Sequence, residues 1–259
     1  PEEHLAHIKQ TIDYALSKNF TVNLYLEDWS SGMRDSRDYL FMMMDELVKL
    51  PIKRFLLPDT LGILNPLQCV EYMRQMVRRY PSSHFDFHAH NDYDLAVSNS
   101  LAAVLSGAKG LHVTVNGLGE RCGNAPLASV QVILKDMFEA KTNIKEDRLN
   151  DISRLVEGYS GIAVAPNTPV VGDNVFTQVA GVHADGDNKD KLYCNDLVPE
   201  RFGRHREYAL GKNSGKANIV QNLNELGLEL TPEQTKAVTK RITELGDRKE
   251  LVTQDDLPY

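Results

Sequence analysis

Two histidines two positions apart, His88 and His90, give the sequence its clearest chemical signal. They close a predicted β-strand, in which alternate side chains point to the same face, so both imidazoles can reach one ion. Asn91 and Asp92 follow directly and add oxygen atoms at the same place. The structural alternative is a pair of polar residues that only close a strand. The polar surroundings favour a divalent metal site.

A glycine-dense turn over residues 117–124 supplies a second candidate ligand. Its three glycines let the backbone approach a ligand closely, and Asn124 at its end could offer an amide oxygen to the same ion. Asn124 could instead cap a helix that begins at Ala125 and Pro126, a position that favours asparagine. The residues alone leave both interpretations open.

A carboxylate, Glu27, ends an apolar strand and is followed by Asp28 and Trp29. A position at the end of a strand, partly shielded from water by apolar neighbours, suits a group that transfers protons. The alternative is a carboxylate that is simply solvated. His183 and Tyr193 lie in a loop region with no apolar face, where an isolated histidine is usually a surface residue.

Up to about residue 145, short apolar runs alternate with helical patterns, as in βα units around a parallel sheet. The predicted strands are residues 21–26, 54–57, 84–88 and 110–115, and each is followed by polar residues. Asn65, Pro66 and Gln68 predict the start of one intervening helix, and Gly107 predicts the end of the next. Because the carboxyl ends of parallel strands share one rim, we expect a barrel active site there.

The second part of the chain has a different character. Residues 147–158 predict one more helix, and residues 163–186 are rich in glycine, proline and asparagine and predict a long ordered loop. Thr231, Pro232 and Gln234 predict another helix start. We therefore expect an α/β fold in which residues 1–145 form a partial barrel and residues 146–259 form small, mainly helical linker subdomains.

Composition excludes several classes of function. The 259 residues carry 29 Lys and Arg against 36 Asp and Glu, and this net charge of −7 disfavours nucleic-acid binding. We find no apolar run long enough for a membrane span and no N-terminal secretory signal in this sequence. These features predict a cytoplasmic protein that does not bind membranes. Cys69, Cys122 and Cys194 are widely spaced and predict free, buried thiols rather than disulfides.

Four segments together resemble the family of 2-isopropylmalate, citramalate and homocitrate synthases. They are residues 88–92, 116–124, 181–186 and 211–216, in the expected order and spacing, and residues 24–30 look closest to the citramalate branch. The resemblance implies a TIM barrel followed by a linker subdomain. It also implies an enzyme that condenses acetyl-CoA with a 2-oxo acid.

Carried over position by position, His88, His90 and Asn124 match three ligands of the family's divalent metal. Two imidazoles and oxygen ligands suit Mn²⁺, Mg²⁺ or Zn²⁺, and the ion would hold and polarise the 2-oxo acid. Tyr25 and Thr60 match positions that line the oxo-acid pocket. The bulk of Tyr25 favours pyruvate over the larger 2-oxoisovalerate, although neither substrate is strongly preferred.

The resemblance also implies the proton-handling group. Glu27 would assist enolisation of the acetyl methyl group together with His183 and Tyr193, which the neighbouring chain of a homodimer supplies in this family. Hydrolysis of the resulting thioester would release CoA and make the condensation effectively irreversible.

One departure from the family is large. The family's first barrel strand opens with an Arg-Asp dyad that supplies a fourth metal ligand, and no strand of this chain has that motif. The four predicted strands match the second half of an eight-stranded barrel. We therefore expect the sequence to be part of a longer enzyme, and the feedback-sensing regulatory domain of the family would follow its last residues.

The leading hypothesis is a 2-isopropylmalate or citramalate synthase of leucine or isoleucine biosynthesis. One alternative is a carbon–carbon lyase like 3-hydroxy-3-methylglutaryl-CoA lyase, which would keep its turnover without His183. Another alternative is a noncatalytic half-barrel that binds a metal ion but shows no turnover.

Overall fold

The computed structural model describes residues 2–178, 186, 195–248, 252 and 257. The chain divides into two compact units, Pro1–Thr142 and Asn143–Tyr259. The first unit contains β1 (Val22–Tyr25), β2 (Ile52–Asp59), β3 (Phe85–Ala89), β4 (Gly110–His112), α1 (Glu2–Ser17), α2 (Trp29–Asp35), α3 (Arg37–Leu47), α4 (Pro66–Arg79), α5 (Ala96–Leu105) and α6 (Leu127–Phe138). The second contains α7 (Leu149–Ser160), β5 (Thr177–Gln178), β6 (Glu207–Tyr208), α8 (Lys216–Glu225) and α9 (Pro232–Asp247).

The first unit is built on a four-stranded sheet in the order β1-β2-β3-β4, with every neighbouring pair parallel. All four strands lie where the sequence predicts them, although β2 is longer than expected and β4 is shorter, because a 3-10 turn begins at Val115. Parallel neighbours require crossovers, and helices α2 to α5 provide them. The predicted α/β class of the TIM-barrel type is confirmed.

The two faces of this sheet have different chemistry. Phe55, Leu57, Phe85 and Phe87 are almost fully buried and belong to one apolar core with residues of the helices, among them Met44. Burying one such side chain contributes about 2 kcal/mol to folding. Because strand residues alternate, the positions between them point to the opposite face, which we call the inner face. The inner face carries Tyr25, Asp86, His88 and His112.

The helix ends follow the predicted chemistry. The Asn65 side chain accepts a hydrogen bond from the Gln68 amide at 2.9 Å, and the Gln68 side chain accepts one from the Asn65 amide at 3.1 Å. Thr231 and Gln234 form the same reciprocal pair at the start of α9. Gly107 follows α5 with a φ of +107°, a conformation that side chains rarely adopt, so the predicted stop is also confirmed.

The second unit is mainly helical, as expected, and Ile219, Leu223 and Ile242 of α8 and α9 form its apolar core. Residues 161–176 contain no helix or strand, in agreement with the predicted loop. The prediction is wrong at two places within residues 163–186. Thr177 begins a two-residue strand that pairs in parallel with β6, and Gly186 is helical.

The cysteines are partly as predicted. Cys69 is a free buried thiol whose Sγ donates to the Asn99 carbonyl at 3.3 Å, and burial raises its pKa. Cys122 is free but exposed, because it lies in the glycine-dense turn rather than on a buried face, so that expectation was wrong. Cys194 lies outside the described residues. In the described part of the chain, no helix combines the length and hydrophobicity needed to cross a bilayer.

The reciprocal pair at the start of α4 gives a stability prediction. Asn65→Ala removes the acceptor for the Gln68 amide and should lower the free energy of unfolding by about 1 kcal/mol. Asn65→Asp keeps an acceptor and is the matched control. Urea unfolding followed by circular dichroism measures both, and equal stability of the alanine variant and the control would contradict the assignment.

Candidate active site

The candidate metal ligands meet at the carboxyl ends of β3 and β4. The rings of His88 and His90 lie perpendicular to each other, with centroids 5.0 Å apart. His90 forms an isolated antiparallel bridge with Asn124, which brings the amide to the two imidazoles. The structure thus brings together the three residues that the sequence analysis selected as ligands.

Each of these three side chains carries a buried polar atom that has no hydrogen-bond partner among the described residues. These atoms are Nδ1 of His88, Nδ1 of His90 and Oδ1 of Asn124. Leaving a buried polar atom unpaired costs about 1–3 kcal/mol. Three such atoms in residues that are neighbours in space indicate a site that binds an ion or another ligand. Imidazole nitrogens and an amide oxygen are donors that Mn²⁺, Mg²⁺ or Zn²⁺ accept, and the residues therefore fit a divalent ion.

The glycine-dense turn explains how Asn124 comes to face the histidines. Nδ2 of Asn124 donates to the Leu118 carbonyl at 3.1 Å, which fixes the plane of the Asn124 amide. A Cβ at Gly119 would lie 2.2 Å from that Nδ2, so only glycine leaves room for this arrangement. Helix α6 begins at Leu127 with Pro126 before it, so Asn124 does not cap it. Within the described residues no three His, Cys, Asp or Glu side chains form a metal cluster, and the site depends on this amide.

Glu27 and Thr60 form a second cluster at the same rim. The Thr60 hydroxyl donates to Glu27 Oε1 at 2.8 Å and accepts from the Asp28 amide at 3.0 Å. The hydroxyl therefore fixes one carboxylate oxygen of Glu27. Glu27 also lines a mainly apolar cavity of about 450 Å³ beside β1, where Trp29 is a buried wall residue.

Arg121, which was not among the site residues predicted from the sequence, links several loops at this rim by hydrogen bonds. The Arg121 guanidinium donates to both carboxylate oxygens of Asp92, at 2.7 and 2.9 Å, and to the Thr60 carbonyl at 2.8 Å. Three strand ends are thereby linked by one side chain. Arg121 also holds the pKa of Asp92 below its usual range. Both residues lie within the quoted motifs, but their pairing across 29 positions leaves no local signal.

Tyr25 lies on the inner face, and its hydroxyl is 2.6 Å from Nδ1 of His112 on β4. Partial burial, followed by the charges of Glu27 and Asp86, raises the pKa of the Tyr25 phenol. Asp86 and His112 were not among the site residues predicted from the sequence. Asp86 had a signal, because polar residues alternate at positions 84, 86 and 88 and such side chains lie on one face of a strand. His112 had no such signal, since its partners lie on other strands.

His88 is held as a neutral imidazole. Burial, together with the neighbouring His90 and His112, lowers its pKa from 6.5 to about 4. A neutral imidazole is the form that binds metal ions, so no proton has to be displaced from this ring at neutral pH. The two other predicted catalytic residues, His183 and Tyr193, lie outside the described residues.

Comparison with known proteins also divides the chain into two parts, with a boundary between residues 156 and 170, later than the boundary between the two structural units. The HMGL-like family model matches residues 1–156. A second family model, described as homocitrate synthase post-HMGL domain-like, matches residues 170–250. The two matches follow one another along the chain, as in the resemblance drawn from the motifs.

Two relatives come from Methanopyrus kandleri. A protein named as an (R)-citramalate synthase is 36% identical over 99% of this chain and 50% of its own length. A protein named as a 2-isopropylmalate synthase is 38% identical over 95% of this chain and 49% of its own length. This chain thus spans about half the length of these curated relatives.

A solved structure supports the fold. The crystal structure of Bacillus subtilis HMG-CoA lyase superposes with a TM-score of 0.57 at 24% identity, covering 63% of this chain and 57% of that chain. At this identity the likeness concerns the architecture alone. It agrees with the parallel βα arrangement of the first unit.

The three unpartnered donor atoms predict metal binding. His88→Ala and Asn124→Ala should each weaken Mn²⁺ binding at least about tenfold, because each removes one candidate ligand. His84→Ala is the matched control, since the His84 ring, just before β3, forms a hydrogen bond with Asp86 instead. Titration calorimetry with MnCl₂ at pH 7.5 measures the affinities, and unchanged binding in both ligand variants would contradict the site.

The lowered pKa of His88 predicts a pH dependence of stability. Between pH 6.5 and about 4 the unfolded chain takes up this proton before the folded chain does, so the free energy of unfolding falls as pH falls. His88→Asn removes this contribution and should lose less stability between pH 7 and pH 5. Urea unfolding with EDTA present tests this, and equal losses in both proteins would contradict the assignment.

Proposed function

Because the chain belongs to the HMGL-like family, we propose that it catalyses the condensation of acetyl-CoA with a 2-oxo acid. Hydrolysis of the resulting thioester by water then gives a 2-alkylmalate and CoA. The observation that carries the proposal is the set of three unpartnered donor atoms at the ends of β3 and β4, on the rim of the sheet where Glu27 follows β1. Residues 1–145 would form the catalytic partial barrel, and residues 146–259 would form the linker subdomains, which contribute His183 and Tyr193. The product is 2-isopropylmalate or citramalate, on the route to leucine or isoleucine.

The electrophile would be held at the candidate metal site. His88, His90 and Asn124 would hold a divalent ion, Mn²⁺, Mg²⁺ or Zn²⁺, and that ion supplies Lewis acidity toward the keto and carboxylate oxygens of the 2-oxo acid. The protein contributes the neutral state of His88 and the fixed amide of Asn124. Thr60 and Tyr25 line the remaining space for the acid.

The nucleophile needs a base for a proton of the acetyl methyl group. Glu27 is suited to this role, because Thr60 fixes one of its oxygens and Arg121 fixes the backbone carbonyl of Thr60. A carboxylate held in this way need not reorganise as the proton is transferred. His183 and Tyr193 are proposed to act in the same step from the neighbouring chain of a homodimer.

The second family match favours a synthase over a lyase. Residues 170–250 match the domain that follows the HMGL-like domain of homocitrate synthase, and this domain contains the proposed residues His183 and Tyr193. The superposition on HMG-CoA lyase concerns the fold and gives no argument for its reaction. We place the enzyme in the cytoplasm, with acetyl-CoA and a 2-oxo acid as its small-molecule partners.

The proposal predicts release of CoA from acetyl-CoA in the presence of pyruvate or 2-oxoisovalerate. In the full-length protein, Glu27→Gln should lower kcat by about 10²–10⁴-fold, the usual contribution of general acid–base catalysis. Glu71→Gln changes an exposed carboxylate on α4 and is the control. A thiol reagent that reports free CoA measures the rate, and absence of CoA release with every 2-oxo acid would reject the proposed function.

A further inference from the structure

A chain of hydrogen bonds crosses the inner face from β1 to β3 by way of β4. The Tyr25 hydroxyl lies 2.6 Å from Nδ1 of His112, and Nε2 of His112 lies 3.4 Å from Oδ2 of Asp86. Asp86 is only 1% exposed and is also bound by His84 at 2.8 Å and by Arg54 at 3.3 Å. Because three side chains bind the Asp86 carboxylate, its position is fixed, and it can orient the His112 ring.

The direction of the hydrogen bonds follows from the chemistry of the groups. A carboxylate only accepts, so the His112 nitrogen facing Asp86, Nε2, carries the proton. In the neutral imidazole the other nitrogen, Nδ1, then has a lone pair, which can accept from the Tyr25 hydroxyl. The Tyr25 hydroxyl is thereby bound to the protein and cannot turn freely into the site.

Glycine at one position of β4 makes this geometry possible. Leu56, Asp86 and Gly110 lie in one row across the sheet. A Cβ at Gly110 would lie 2.3 Å from Oδ1 of Asp86, so any other residue would displace the carboxylate. The carboxylate therefore occupies the space that a side chain on β4 would take.

The consequence is a fixed position of the Tyr25 ring beside the candidate metal site. The ring stands edge-on to His88, with centroids 6.4 Å apart at an interplanar angle of 79°. His112 lies 6.1 Å from the same His88 ring. The phenol ring is thus a wall next to the first candidate ligand, and it limits the volume beside that ligand.

We propose that Asp86 and His112 are positioning residues that hold Tyr25 as this wall, so that the site accepts 2-oxo acids with a methyl side chain in preference to branched ones. The choice of substrate rests on the proposed function. The positioning of Tyr25 does not, since it is a property of the folded chain.

The first experiment tests the positioning without any assay of activity. In the full-length protein labelled with ¹⁵N-histidine, the resonances of His112, assigned through His112→Phe, should show the Nε2–H tautomer. Asp86→Asn presents an amide that can donate to His112 and should shift it toward the Nδ1–H tautomer, which cannot accept from Tyr25. An Nδ1–H tautomer in the unmodified protein would overturn the proposed orientation.

The second experiment measures the ratio of kcat/KM for 2-oxoisovalerate to that for pyruvate. His112→Phe and Tyr25→Phe each break the same hydrogen bond and should each raise this ratio about tenfold, the scale of one such bond. The double variant should show no further rise, because both changes remove one interaction. His84→Phe removes another partner of Asp86 but leaves Tyr25 bound, and should change the ratio less than twofold.

The outcomes separate the two proposals. An unchanged ratio in both His112→Phe and Tyr25→Phe, or a preference of the unmodified protein for 2-oxoisovalerate, would overturn the specificity role. If neither acid supports release of CoA, the proposed function fails. In that case the tautomer of His112 still shows whether Asp86 orients the hydrogen bond between His112 and Tyr25.

Discussion

The curvature of the four-stranded sheet is the constraint on which the site depends. Tyr25 on β1 and His112 on β4 are separated by two further strands, yet their polar atoms are 2.6 Å apart. Strands lie about 4.8 Å from their neighbours, so three intervals in a flat sheet would separate β1 and β4 by roughly 14 Å. The two side chains meet because the inner face is concave, as it is in the wall of a barrel.

The same curvature gives the two faces of the sheet different roles, one in packing the core and the other in forming the candidate site. The convex face carries Phe55, Leu57, Phe85 and Phe87 into the apolar core with the helices. The concave face gathers carboxylate, imidazole and phenol groups from different strands into one space. At its rim, Arg121 joins the ends of β2 and β3 to the turn after β4, which keeps Thr60 in place beside Glu27. The candidate site is therefore assembled from short segments far apart in sequence.

The features that the sequence predicted are those set by local chemistry. Strand positions follow from apolar runs, and the start of α4 follows from the spacing of Asn65 and Gln68. The role of Asn124 stayed open because its orientation depends on the Leu118 carbonyl and on space at Gly119. His112 was missed because its partners lie on β1 and β3, and only the curved sheet brings them together. β5 was missed because two residues give no periodic pattern.

The close approach of Asp86 to Gly110 couples two positions that are 24 residues apart. A carboxylate at position 86 and a side chain at position 110 exclude each other sterically, so position 110 cannot gain a side chain while position 86 keeps its carboxylate. During divergence of such a sheet, loss of the glycine would require a shorter residue at position 86, and the order of these two substitutions would matter. The packing of one glycine thus restricts the mutational routes by which the wall of this pocket can be rebuilt.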